Sequence, residues 1–269
     1  MKRVLSVVTA AALVCGAAVT ASAQQAQPAQ PDVHVVVAYF KAAPGQAEAY
    51  REYLTTVSKK FYQEMLKEQP GLMHWSAAQV MYPGEHGDYD FVSAAVYAGP
   101  PPEPTPPSDA MYQKITGATR ADTMKRLDGL RTMVGSELLR RIGAAGPAGV
   151  IAEGDYRVVA LVKVKPGMGS EFTGFVGGAQ QGVLQVRAAD AEFKSWSAWT
   201  RVFPAGGGER YDALTATYFK DLASAVKGLD GAKGAEAFAK AHPGKSYANY
   251  INDMRDYAEL AGRGLHPVA

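Results

Sequence analysis

The chain has 269 residues, with 28 Lys and Arg against 26 Asp and Glu, and its one cysteine is Cys15. So small a net charge excludes the basic surface that nucleic acid requires, and no nucleic-acid partner is expected. A lone cysteine excludes a disulfide framework, and no stretch beyond the N-terminal region is long or apolar enough to span a bilayer.

The N-terminal region has the three parts of a secretory signal in order. Lys2 and Arg3 give a positive start, Val4 to Thr20 is apolar, and Ala21-Ser22-Ala23 has the small-x-small pattern of a cleavage site. Ser6, Thr9, Gly16 and Thr20 dilute the apolar run below what a membrane anchor needs. Leu13-Val14 stands before Cys15 where a lipoprotein has a small residue. Residues 1–23 are therefore expected to be a cleaved signal peptide and the mature protein to be periplasmic or secreted. Losing Lys2 and Arg3 leaves 26 basic and 26 acidic residues, and Cys15 goes too. Residues 24–32, rich in Gln, Ala and Pro, read as a disordered tether with nothing to bury.

Residues 35–41 are mostly β-branched or aromatic and run into Pro44-Gly45, the pattern of a strand entering a turn. Tyr50, Leu54, Val57, Phe61 and Met65 then recur at helical spacing. Residues 74–82 and 89–97 alternate as a hairpin across 83–87. The prolines of 99–107 forbid a helix there, leaving a stiff lid, a partner contact or a degenerate connection. Met124, Leu127, Leu130, Val134 and Leu138 predict an amphipathic helix. Residues 143–154, rich in Gly and Ala, read as a linker. The same series follows: a strand over 157–163 ending in Pro166-Gly167, a helix marked by Phe172, Phe175, Ala179, Val183 and Val186, and a hairpin of 195–203 with 211–219. A helix over 220–227 stands where the first half has its prolines, and Ile251, Met254, Tyr257 and Ala261 predict a last helix. Whether Leu138-Leu139 and Leu265 mark a fourth strand in each half, periodicity does not decide.

The two series align. Gly45 matches Gly167 at an offset of 122, Trp75 matches Trp196 at 121, Asp90 matches Asp212 at 122 and Gly135 matches Gly262 at 127. An offset this steady indicates a duplicated unit, with modules over 33–142 and 155–269. The Lys-x-x-Pro-Gly strand ending (Lys41 to Gly45, Lys163 to Gly167), the long helix and the hairpin resemble the dimeric α/β-barrel superfamily, in particular its antibiotic-biosynthesis-monooxygenase-like modules. The resemblance implies an α+β fold of two ferredoxin-like β-α-β-β-α(β) modules. They would pack into one barrel-like body within the chain, as single-module relatives do by dimerising; a further homodimer stays open.

Strand alternation divides each sheet into two faces. Val92, Ala94, Val96 and Leu214, Ala216, Tyr218 are the more apolar set and are expected against the helices. Ser93, Ala95, Tyr97 and Thr215, Thr217, Phe219 are expected toward the cavity that the resemblance implies. Tyr39 and Lys41 share the mixed face of the first strand. Trp199 and Arg201 replace Ala78 and Val80 on the second, a stacking surface beside a fixed charge. The candidate ligand-binding set is therefore Tyr39, Lys41, Trp199, Arg201, Thr215 and Thr217, although Lys41 and Lys163 also read as solvated strand ends. Trp75 and Trp196, present in both halves, read as core anchors, and Tyr89-Asp90 and Tyr211-Asp212 as register features.

His34, His74, His86, His242 and His266 form no ligand pair at helical spacing, so no metal is expected. No helical histidine is evident for haem, and Gly206-Gly207-Gly208 lacks the residues of a phosphate loop, so no cofactor is expected. His74 is the reserve candidate for a base. The function expected is binding of a small, partly apolar or anionic ligand between the modules. The alternative is a cofactor-independent oxygenase or isomerase of the resembled type, which needs a proton-transfer group in the cavity.

Overall fold

The computed structural model describes residues 32–81, 88–103, 105–147, 151–205, 209–228 and 231–268. The expected signal peptide, most of the expected tether, the turn 83–87 with His86, and Gly206 to Gly208 lie outside the described residues.

The first half runs β1 (Val33–Ala42), α1 (Ala47–Tyr53), a π turn (Leu54–Ser58), α2 (Lys59–Glu68), β2 (Leu72–Gln79), β3 (Phe91–Ala98), α3 (Asp109–Thr116), α4 (Arg120–Leu130) and β4 (Arg131–Ala145). The second runs β5 (Tyr156–Val164), α5 (Gly169–Phe175), a π turn (Val176–Gln180), α6 (Gln181–Arg187), β6 (Phe193–Phe203), β7 (Ala213–Phe219), α7 (Leu222–Gly228), α8 (Gly231–Ala241), α9 (Tyr247–Tyr257) and β8 (Ala258–Pro267). All eight strands form one antiparallel sheet in the order β2-β3-β1-β4-β6-β7-β5-β8. Its two edges meet: Ala78 bridges to Val268, and the Met81 amide donates to the Leu265 carbonyl at 3.1 Å. The sheet thus curls into a barrel and its edge groups find partners.

Two expected helix tails are strands. Val134 and Leu138 lie on β4, and Ala261 lies on β8. The chain turns extended at Arg131 and again at Ala258 (φ −159° and −156°). The apolar spacing that suggested a helix continues across both points, but barrel closure rewards an extended chain there. β4 hydrogen-bonds to β1 on one side and to β6 on the other. These are the fourth strands that periodicity left undecided. Because β4 runs to Ala145, the first residues of the expected linker continue a strand. Gly143 permits this where β4 meets β6, since a Cβ there would sit 2.9 Å from the Trp196 ring.

Helices cover the outer face of the sheet and apolar side chains fill much of the inner one, so each strand is buried twice. Outside, Phe40, Tyr50, Tyr53, Leu54 and Phe91 pack in the first half, and Phe172, Phe175, Val176, Trp196 and Phe219 in the second. Inside, Val35, Val37, Val92, Leu139, Leu161 and Leu214 form a separate cluster. This inverts the expected faces of β3 and β7. The apolar set points inward, and Ser93, Thr215 and Thr217 face the helices, where Ser93 Oγ accepts from Trp75 Nε1 at 2.8 Å. The expectation failed because it allowed for only one dry face.

One device closes the first strand of each half. Asp90 accepts from Lys41 Nζ and from the Ala42 amide, both at 2.9 Å. Asp212 accepts from Lys163 Nζ at 3.1 Å and from the Val164 amide at 2.9 Å. Both lysines, expected to be solvated, thus hold the carboxylate that satisfies the last amide of their strand. Asp90→Ala and Asp212→Ala should each cost about 1–3 kcal/mol, the penalty for an amide left without its acceptor. Urea unfolding measures it, and a loss below about 0.5 kcal/mol in both would show that the clamp is not structural.

Candidate ligand-binding site

Inside the barrel lies a cavity of about 330 Å³. Residues two apart on a strand share its face, so Val35, Val37 and Tyr39 of β1 and Arg157, Val159 and Leu161 of β5 all point inward. Most of the wall is apolar, and the polar groups gather toward two ends that the strand register defines.

The end near the C-termini of β1 and β5 is self-satisfied. The Tyr39 hydroxyl donates to Glu137 Oε2 at 3.1 Å and lies 2.9 Å from the Tyr211 hydroxyl, which also donates to Glu137. Arg201 pairs with Glu137 at 3.1 Å and with Glu209, and its guanidinium lies 4.1 Å from the centre of the Tyr211 ring. Burial, then Tyr211 and Glu137, push Tyr39 well above the usual phenol range, and burial, then Glu137, push Tyr211 up as well, against the opposing pull of Tyr39 and Arg201. Burial alone would lower Arg201, but Glu137, Tyr211 and Glu209 more than reverse this. A phenol and a guanidinium so held are fixed structural partners.

The opposite end is set by Arg157, which lies across from Tyr218 on β7 and His266 on β8. Arg157 is 5% exposed, and its Nη2 lies 3.3 Å from His266 Nδ1. A guanidinium only donates, so Nδ1 accepts and the His266 proton sits on Nε2. Gly264 leaves room for this ring; a Cβ there would lie 2.7 Å from Nε2. Burial, aided by Arg157, pushes His266 down to about 3. His74 lines the cavity as well, and burial and then Arg157 lower it too; its Nε2 is buried without a hydrogen-bond partner among the described residues. Arg141 of β4, across from Trp199 of β6, is a second inward cation, and burial lowers its proton affinity.

Of the six expected site residues, Tyr39 and Trp199 line this cavity. Trp199 is 7% exposed and its indole donates to Ser197 Oγ at 2.8 Å. Arg201 borders an adjoining pocket with Tyr39 and Tyr211, its charge already met by carboxylates. Lys41 sits outside with Asp90, and Thr215 and Thr217 share the helix-facing side of β7 with Ala213 and Phe219. The structure therefore does not bring the six together. The expectation missed Arg157, Arg141 and His266. A signal was available: in Arg157-Val158-Val159-Ala160-Leu161 and Leu139-Arg140-Arg141 the arginine falls in phase with the apolar residues of its strand. His242 stands at the end of α8, its Nε2 3.0 Å from the Ala179 carbonyl and away from the cavity. Among the described residues no group of three or more His, Asp or Glu is placed to hold a metal, and no helix is long and apolar enough to cross a membrane.

His266 makes the fold sensitive to acid. Between the ordinary histidine value near 6.5 and about 3, the unfolded chain takes a proton at this residue that the folded chain refuses. Stability therefore falls as pH drops through that window, by roughly 2 kcal/mol at pH 5, and His74 adds to the fall in the same direction. Urea unfolding at pH 7 and pH 5 should show a clearly smaller loss for His266→Gln than for the parent. Equal losses would mean that the folded protein protonates His266 freely.

No known family model matches the chain, and no curated protein does. Solved structures do resemble it. A proposed monooxygenase from Fusobacterium nucleatum subsp. nucleatum superposes with a TM-score of 0.54 at 11% identity, over 88% of this chain and 92% of that one. A proposed monooxygenase from Lactobacillus acidophilus gives 0.47 at 11% identity, over 89% and 94%. An anthrone oxidase-like protein gives 0.47 at 13% identity, over 90% and 92%. At 11% identity the likeness to the Fusobacterium structure is one of fold.

Proposed function

We propose that the protein binds a small, partly apolar organic molecule inside the barrel. The observation that carries this reading is a cavity of about 330 Å³ walled by apolar side chains, with Trp199 and a few inward polar groups to orient an occupant. The matching strand order of the two halves supports a duplicated module, 33–142 and 155–269, as the origin of the barrel. The N-terminal pattern supports export to the periplasm or beyond, with residues 1–23 removed. The intact mass of protein from the periplasm or medium should correspond to a chain starting at Gln24. Full-length protein found only with membranes would reject export.

A second reading has its own observation. His74 offers a buried ring nitrogen without a partner among the described residues, and its lowered proton affinity keeps it neutral. A neutral imidazole in a dry cavity can take a proton from an acidic C–H or phenol of an occupant, as a cofactor-independent oxygenase or isomerase requires. The likeness in fold to the proposed Fusobacterium monooxygenase is consistent with this chemistry.

One set of variants tests both readings. Ligands scanned by Trp fluorescence should give saturable binding in the parent. Ala216→Leu, which fills the cavity, should weaken it at least tenfold while the thermal midpoint stays near the parent's. Binding unaffected by Ala216→Leu places the ligand elsewhere. His74→Gln should retain binding; if a bound compound is turned over, that turnover should fall at least a hundredfold, the usual scale for a lost general base.

A further inference from the structure

Arg157 is the most anomalous group in the cavity. It is 5% exposed, its Nε has no hydrogen-bond partner among the described residues, and its Nη2 meets the neutral imidazole of His266. Among the described residues no carboxylate lies within ion-pair distance of it. The buried Arg201 meets two carboxylates, and Asp155, beside Arg157 in the chain, is taken by Lys194 at 2.8 Å. An arginine cannot relieve its burial by giving up its proton. A buried charge without a counter-charge is costly, and proteins keep one where something else supplies the opposite sign.

The surroundings favour an external supplier. His266 accepts from one arm of Arg157 and so turns the guanidinium within the cavity. His74, too, holds no negative charge. Arg141 adds a second cation to the wall, and its Nε too has no hydrogen-bond partner among the described residues. The carboxylates of this region are committed elsewhere: Glu137 to Arg201 and the two tyrosines, Asp155 to Lys194. Apart from Ser76, Ser195 and Ser197, the rest of the wall, including Val96, Val159, Ala216 and Tyr218, is apolar or aromatic.

Deepening the proposed binding function, on which it rests, we propose that Arg157 is the anion-binding residue of the barrel and that the occupant is an apolar, ring-sized carboxylate. Its carboxylate pairs with the guanidinium, whose free edge matches two oxygens, and its hydrocarbon body lies along the barrel toward Trp199. Arg201, the charge that sequence alone singles out, plays no part in recognising it.

Matched probes test this: 1-naphthoate against 1-naphthamide, which share a shape and differ in charge, followed by Trp fluorescence and calorimetry at pH 7. The parent should bind naphthoate at least tenfold more tightly than naphthamide. Arg157→Gln should cut that preference to threefold or less while leaving naphthamide affinity within about threefold. Arg157→Lys, which keeps the charge, should retain part of the preference and serves if Arg157→Gln does not fold. Arg201→Gln should leave the preference intact. Equal affinity for the two probes in the parent overturns the anion proposal while the cavity reading stands. So does a preference that survives Arg157→Gln, or, should only the lysine variant fold, one that vanishes in it. Failure of both probes to bind the parent removes the cavity reading and this inference with it.

Discussion

Closure of the sheet governs the other features of the molecule. The strand order leaves β2 and β8 as edges, and their contact at Ala78 and Val268 joins the two ends of the sheet. Without it the inner face of β3 and of β7 would meet water, and the apolar rows Val92-Ala94-Val96 and Leu214-Ala216-Tyr218 would have no reason to point there. With it, the interior becomes a second dry compartment beside the one under the helices. Polar groups placed in it must be satisfied by one another or by an occupant. The Tyr39, Tyr211, Glu137 and Arg201 cluster does the first. Arg157 does not.

The two halves agree where the barrel needs building and differ where the cavity needs chemistry. The Lys–Asp clamp at the strand ends is the same in both, down to the backbone amide that each carboxylate accepts. The last helix of each half also closes alike: the Leu130 carbonyl takes the Ala43 amide, and the Tyr257 carbonyl takes the Lys165 amide, both at 2.9 Å. Inward positions differ instead. Arg157 stands where the first half has Val35, and Trp199 and Arg201 stand where it has Ala78 and Val80. An interior lined twice by the same residues would be nearly symmetric and apolar. The second half makes it polar at both ends, one end neutralised from within and the other left cationic.

This pattern explains what the sequence disclosed. Strands, hairpins and the long helices were legible because Pro-Gly turns and apolar periodicity are local signals. The helix-to-strand change at Leu130 and Tyr257 was not, because the apolar spacing runs on and only the distant partners β1, β6 and β5 decide the backbone. Tyr39 and Trp199 were found because they are large and lie on strand faces that alternation assigns without tertiary knowledge. Thr215 and Thr217 were misplaced because polarity was taken to mark the cavity, whereas two dry faces make polarity a poor guide to direction. Arg201 drew attention as a charge on a strand, but its neutralising partner Glu137 is 64 residues away and belongs to the other half of the sheet.

Arg157 and His74 also connect the two functional readings. The guanidinium is one of the two causes that hold His74 below its ordinary value, burial being the larger. An anion seated on Arg157 would offset that repulsion and restore part of the imidazole's proton affinity. Binding would then strengthen the base beside the occupant, while burial would still keep the ring neutral and ready to accept. A barrel that only stores or carries its ligand gains nothing from this coupling. One that removes a proton from the ligand gains a base that is weak when the cavity lacks its anion and stronger when the anion is in place. The same pair of residues thus suits recognition alone or recognition followed by proton transfer, and the acidity of the occupant's own C–H or O–H decides between them.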